Sequence, residues 1–181
     1  MPLLIVLYLL FIGIAALLAQ MVLPIIFPIL NVFGFGSALV PLVVIYASLE
    51  LGDERALLLA AILGLFLDLT VTSHRLGISV LILGSLSALI VTQAHKAESH
   101  HWLFGLTYVL VGTFIFLLLD YLCMLAETGR WYWPLDVWSK IALGSLLNLV
   151  LAPFFFYLVG FLPRRCGWKP SCELHERHYA R

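Results

Sequence analysis

Charge is what this chain has least of. Only 11% of its 181 residues are Asp, Glu, Lys or Arg and 63% are hydrophobic, against roughly 25% charged residues in a soluble domain. That shortage excludes an ordinary water-soluble globule and a disordered segment. Three cysteines in 181 residues are too few for a disulfide scaffold. Basic and acidic residues both number 10, so no surplus of one sign draws the chain to nucleic acid, and no nucleic-acid partner is expected. Also missing are a G-x-x-x-x-G-K-[ST] phosphate loop, an H-E-x-x-H metal motif, a G-x-S-x-G elbow and a G-x-G-x-x-G fingerprint. Without them no catalytic set is complete, and no cofactor, metal or catalytic residue is expected.

What the chain has instead is long apolar runs, with a mean hydropathy of +1.08. Spanning helices take roughly 20 apolar residues each, so six would use about 120 and leave only short loops and a tail. The first charge is Glu50. The preceding stretch is too long for one helix and suits two, parted by Pro24, Pro28, Asn31, Gly34 and Gly36, which break helices or permit loop dihedrals. The expected spans are 3–23, 37–49, 56–73, 76–94, 102–126 and 141–163, a bundle over 1–163 followed by a basic tail, 164–181. The first span lacks the basic start and short core of a cleavable signal and is expected to be retained. Continuous apolar runs without polar alternation exclude barrel strands. The fold class is therefore an all-α, polytopic, six-helix membrane bundle.

Basic residues near span ends set orientation. With both termini inside, Arg55, Lys96, Arg164, Arg165, Lys169, Arg177 and Arg181 are cytoplasmic and Arg75, Arg130 and Lys140 lie outside. Seven against three favours cytoplasmic termini, although five of the seven sit in the tail.

Polar groups inside spans are costly and mark candidate sites. Here they are Gln20, Asp68, Asp120 and Asn148. At 1.5 Å per residue, Asp68 lies roughly 7 Å, Asp120 about 9 Å and Asn148 about 10 Å below the outer end of its span, with Gln20 nearer the edge. Small residues recur at helical spacing beside them. Ala60, Gly64 and Asp68 form one stripe and Gly144, Asn148 and Ala152 another, while Gly105, Gly112 and Asp120 share a face. Such stripes are packing seams where helices approach closely and a polar group bonds across the contact. Gly77, Gly84 and Ala88 give the fourth span a similar seam. The two aspartates are best explained as seam residues satisfied by Arg75, Asn148, loop amides or a shared proton. A polar pocket for a ligand or partner is the next alternative, and a catalytic dyad the sharpest.

The tail carries Cys166, Cys172, His175 and His178, whose spacing fits zinc poorly. A solvated basic tail beside anionic lipid suits it better. The His95 to His101 stretch reads as a hydrated inner loop, and Cys123 as a small core residue. Trp131, Tyr132 and Trp133, with Trp138 nearby, form an aromatic outer loop that anchors at the headgroups or docks an outside partner.

The stretch LGLFLDLTVTSHRLGISVLILGSLSALIV resembles the central segment of the bacterial rod shape-determining MreD family. The matching positions are Gly64, Asp68, Leu69, Leu76 and Gly77. The likeness extends to the proline-broken entry after the first span, to WYWPLDVW, and to LLNLVLAPFFFYLVGFLPRR with Asn148, Pro153, Arg164 and Arg165, about residues 1 to 165 in all. It implies a noncatalytic multi-pass scaffold in the bacterial cytoplasmic (inner) membrane. The implied partner is MreC, with indirect links to MreB and to peptidoglycan glycosyltransferase and transpeptidase enzymes in control of cell shape. In that role Asp68 holds the turn between spans three and four. The structural and partner-binding candidates are Gly64, Asp68, Gly77, Asp120, Asn148, Trp131 and Trp133. MreD-like proteins are also similar in fold to the substrate-binding subunits of energy-coupling-factor transporters, which supplies the alternative function. The tail departs from the usual short basic ending.

Overall fold

A computed structural model describes residues 2–26, 39–51, 54–70, 77–94, 102–129 and 134–165. All regular structure among them is helical: α1 (Pro2–Ile26), α2 (Leu39–Leu51), α3 (Glu54–Thr70), α4 (Ile78–Ala94), α5 (Trp102–Thr128) and α6 (Leu135–Arg165). Three of these, α1, α5 and α6, are long and apolar enough to cross a membrane, and α2 and α4 are shorter apolar helices. The architecture is the all-α bundle that the apolar runs predict.

The order of packing follows from α2. A helix apolar all round has no face to offer water and must be enclosed. Every residue from Val40 to Ser48 is buried, and α2 touches each of the other five helices. Those five form a ring about it, with α1 against α3, α3 against α4, α4 against α5 and α5 against α6. At the remaining joint the Tyr8 hydroxyl of α1 donates to the Val159 carbonyl of α6 at 3.2 Å. Tyr46 fixes α2 against α6, its ring lying edge-on to Phe155 at 6.1 Å and tilted over Phe156 at 5.0 Å. On the other side Ser48 donates to the Val44 carbonyl of its own helix and shares a 2.8 Å hydrogen bond with Ser87 of α4.

The first amides of a helix have no partner within it, and at the start of α2 Val40 is fully buried. Gln20 of α1, itself buried, places Oε1 3.3 Å from the Val40 amide, which donates to it. The next residue is Pro41, which has no amide to satisfy. One side chain from a neighbouring helix and one proline thus serve the start of α2.

Helix limits differ from the expected spans in two informative places. α1 continues past Pro24 to Ile26, because a proline near a helix end withdraws one amide bond without unwinding the turns already made. α6 begins at Leu135, six residues before the apolar run that starts at Ile141. Pro134 and Asp136 are helix-start residues, the second placing negative charge at the positive end of the helix dipole. The Val137 amide donates to the Pro134 carbonyl at 3.1 Å, and the Ser139 hydroxyl to the Asp136 carbonyl. Trp138, expected in a loop, is therefore helical. The charges of Asp136 and Lys140 hid this turn from a search for uncharged runs.

Candidate functional site

The residues that carry the sequence resemblance meet where α3 gives way to α4. Gly64 lies on the buried stripe of α3 with Ala60 and Asp68. A Cβ at Gly64 would sit 2.7 Å from the Val80 Cα, 2.8 Å from the Val80 amide nitrogen and 3.0 Å from the Ser79 carbonyl oxygen, all backbone atoms of α4. The two helices approach this closely only because residue 64 has no side chain.

One turn further along α3, that approach brings Asp68 to the start of α4. The Gly77 amide donates to Asp68 Oδ2 at 2.7 Å, and the Ser79 amide donates to Oδ1 at 3.1 Å. Asp68 is 6% exposed, so these donors take the place of water at its oxygens, and the positive end of the α4 dipole lies beside them. Within α3 the position is unfavourable, since a carboxylate in a last turn faces the negative end of its own helix. The tertiary contact outweighs that local cost. Gly77 completes the junction with a φ of +105°, a backbone conformation that other residues adopt only with strain. Its carbonyl accepts the Leu81 amide at 3.0 Å, the first hydrogen bond of α4.

Deeper in the bundle, Asn148 Nδ2 of α6 donates to Thr113 Oγ1 of α5 at 3.2 Å, both residues being fully buried. Because α6 starts at Leu135, Asn148 lies about 20 Å along it at 1.5 Å per residue. Gly112 supports the same region, since a Cβ there would meet Ile45 Cδ1 of α2 at 2.9 Å. Removing the polar pair one residue at a time should show modest coupling. A double-mutant cycle of Thr113→Val and Asn148→Leu, read by unfolding in detergent, is expected to give about 0.6 kcal/mol of interaction and no more than about 1.7.

The structure thus gives Gln20, Asp68 and Asn148 separate partners. Gln20 serves α2, Asp68 serves α4, and Asn148 joins α5 to α6. Asp68 takes the backbone amides at the start of α4, one of the options open to a seam residue, and neither of its hydrogen bonds involves Asp120. Asp120 is half-buried on α5. The expected seam on the fourth span is corrected at Gly84, where a Cβ would meet nothing within 4 Å, so that glycine faces outward. Gly13 was missed as a seam: a Cβ there would lie 2.5 Å from a methyl of Leu63. Its isolated place in a uniformly apolar run offered no signal, and Thr113, Ser48 and Ser87 escaped notice because hydroxyls are common in such helices. Trp131, Trp133, Arg75, the His95 to His101 stretch and the tail with Cys166, Cys172, His175 and His178 lie outside the described residues.

The family described as rod shape-determining protein MreD matches residues 2–162. The chain belongs to the MreD family. No curated protein and no solved structure matches it, so the similarity in fold to energy-coupling-factor transporter subunits finds no support. Membership makes this a cell-shape membrane protein. The glycine, aspartate and Leu-Gly spacing by which it resembles other MreD proteins is, in three dimensions, one junction: a close approach at Gly64, a cap at Asp68 and a left-handed turn at Gly77.

Proposed function

We propose that this MreD-family protein is a noncatalytic scaffold of the bacterial cell-elongation complex, held in the cytoplasmic membrane with both termini inside. It binds MreC and through it acts with MreB filaments and with peptidoglycan glycosyltransferases and transpeptidases in lateral wall synthesis. The match to the family over residues 2–162 carries this proposal. The geometry is consistent with it: Asp68, the aspartate at the junction, spends both oxygens on the backbone donors of Gly77 and Ser79 at the start of α4, which suits a fixed shape better than proton transfer. The six helices form the spanning unit, residues 164–181 form a cytoplasmic tail, and Trp131, Trp133 and Asp120 lie toward the outer side as candidate partner contacts.

Depletion of the chain in its native host tests the proposal. Rod-shaped cells should round up, and re-expression of the wild-type chain should restore their length. Unchanged shape on depletion, or loss of uptake of a small molecule in place of loss of shape, would contradict it.

A further inference from the structure

The ring of helices is fastened unequally. From α1 through α3, α4 and α5 to α6 each helix packs along the next, but among the described residues α1 and α6 do not pack along each other. They are the first and last of these helices, so no loop joins them. The polar tie across their joint is the Tyr8 hydroxyl, which donates to the Val159 carbonyl at 3.2 Å over a separation of 151 residues.

That carbonyl differs from its neighbours in the helix. In an α-helix the carbonyl of residue i accepts the amide of residue i+4. Four residues past Val159 stands Pro163, which has no amide hydrogen. The helix nevertheless continues to Arg165, so the ladder of α6 leaves Val159 without that donor. Val159 is buried, and a carbonyl without a donor is costly where no water can reach it. Tyr8 brings the donor from another helix. Tyr8 lies six residues after Pro2 and Val159 six before Arg165, each about 9 Å inside the end of its helix.

The other fastenings of α1 lie further along it. At Gly13 a Cβ would come within 2.5 Å of a Leu63 methyl of α3, and Gln20 caps α2. The turns before Gly13 are held by the Tyr8 bond and by the burial of Ile5 and Leu9. An O–H···O hydrogen bond is usually about 2.7–2.8 Å long, so the longer Tyr8 bond is a weak closure. We infer that this bond is a latch, made possible by the proline at 163, that closes the ring between α1 and α6, and that the bundle opens at this joint when the latch is released. Opening swings the first turns of α1 away from α6 while the Gly13 to Gln20 part stays against α2 and α3.

The test uses the full chain with Cys123, Cys166 and Cys172 replaced by serine, reconstituted in phosphatidylcholine bilayers. Spin labels on cysteines at the exposed positions Leu4 and Leu158 span the α1–α6 joint, and a second pair at Leu65 and Leu81 spans α3 and α4. Tyr8→Phe removes the hydroxyl and keeps the ring. It should lengthen and broaden the distance distribution of the first pair and leave the second unchanged. In mixed micelles the same substitution should raise the unfolding equilibrium constant about 3-fold and no more than about 20-fold, the range for hydrogen bonds between membrane helices. Pro163→Ala returns the amide that the Val159 carbonyl lacks, so in that background Tyr8→Phe should change the constant by less than about 2-fold. An unchanged distance across α1–α6, or equal broadening at both pairs, would overturn the latch. An equal effect of Tyr8→Phe with proline or alanine at 163 would overturn its assignment to the carbonyl that Pro163 leaves without a donor.

Discussion

Replacing Gly64 by alanine is expected to destabilise the bundle by about 2–4 kcal/mol, although alanine is the better helix former by about 1 kcal/mol. The new methyl would overlap backbone atoms of Val80 at 2.7 and 2.8 Å, and backbone cannot move aside as a flexible side-chain tip can. Overpacking of this kind costs about 1–3 kcal/mol. Separating α3 from α4 also lengthens the hydrogen bonds from Gly77 and Ser79 to Asp68, each of which, to a charged acceptor, is worth about 1.5–3 kcal/mol. Gly84→Ala is the internal control. Its Cβ meets nothing within 4 Å, so the propensity gain should leave stability unchanged or slightly raised. Unfolding of the two variants by a denaturing detergent in mixed micelles should separate them by about 2–5 kcal/mol. Equal stability would mean that the close approach at Gly64 does not hold the helices together.

Asp68→Leu removes the acceptor from two amide donors at the start of α4. Each donor left unpaired away from water costs about 1–3 kcal/mol, so the variant should lose about 3–5 kcal/mol while still inserting, because leucine is less costly than aspartate in a bilayer. Asp68→Asn keeps one carbonyl acceptor, turns an amide group toward the other donor and abandons the charge that favours the α4 dipole. Its loss should fall between wild type and Asp68→Leu. The order wild type, then Asn, then Leu in the same unfolding measurement is the expected result. An asparagine variant as stable as wild type would show that the carboxylate charge contributes nothing at the junction.

These two residues also mark how far the fold is legible in the sequence. Long uncharged runs located six helices because a bilayer admits little else, and the limits were off mainly where a charge interrupts a helix, as Asp136 and Lys140 do at the start of α6. The central place of α2 was not legible. Uniform apolarity says that a helix avoids water but not whether lipid or protein surrounds it. Gly64 and Gly84 likewise look alike as small residues at helical spacing, yet one sits against a backbone and the other faces outward. The role of Asp68 at the turn came from the family resemblance. Counting charges pointed as readily to Arg75 or a shared proton, because sequence spacing does not reveal that the first amides of α4 stand within reach. Asn148 reads from its run as part of an outer polar layer, but its hydrogen bond to Thr113 was not legible, because spacing along one helix does not say which side chain of another faces it.

In the proposed role this MreD-family bundle is a scaffold whose shape, held at the Asp68 junction, binds MreC. The most direct test is recovery of the tagged chain in mild detergent from its native membrane, with identification of the proteins that accompany it, for wild type and Asp68→Leu at equal membrane abundance. The scaffold account predicts MreC and cell-wall synthases with the wild type and clearly less MreC with Asp68→Leu. Absence of MreC from the wild-type sample, or its replacement by an ATPase pair with a coupling membrane subunit, would contradict it.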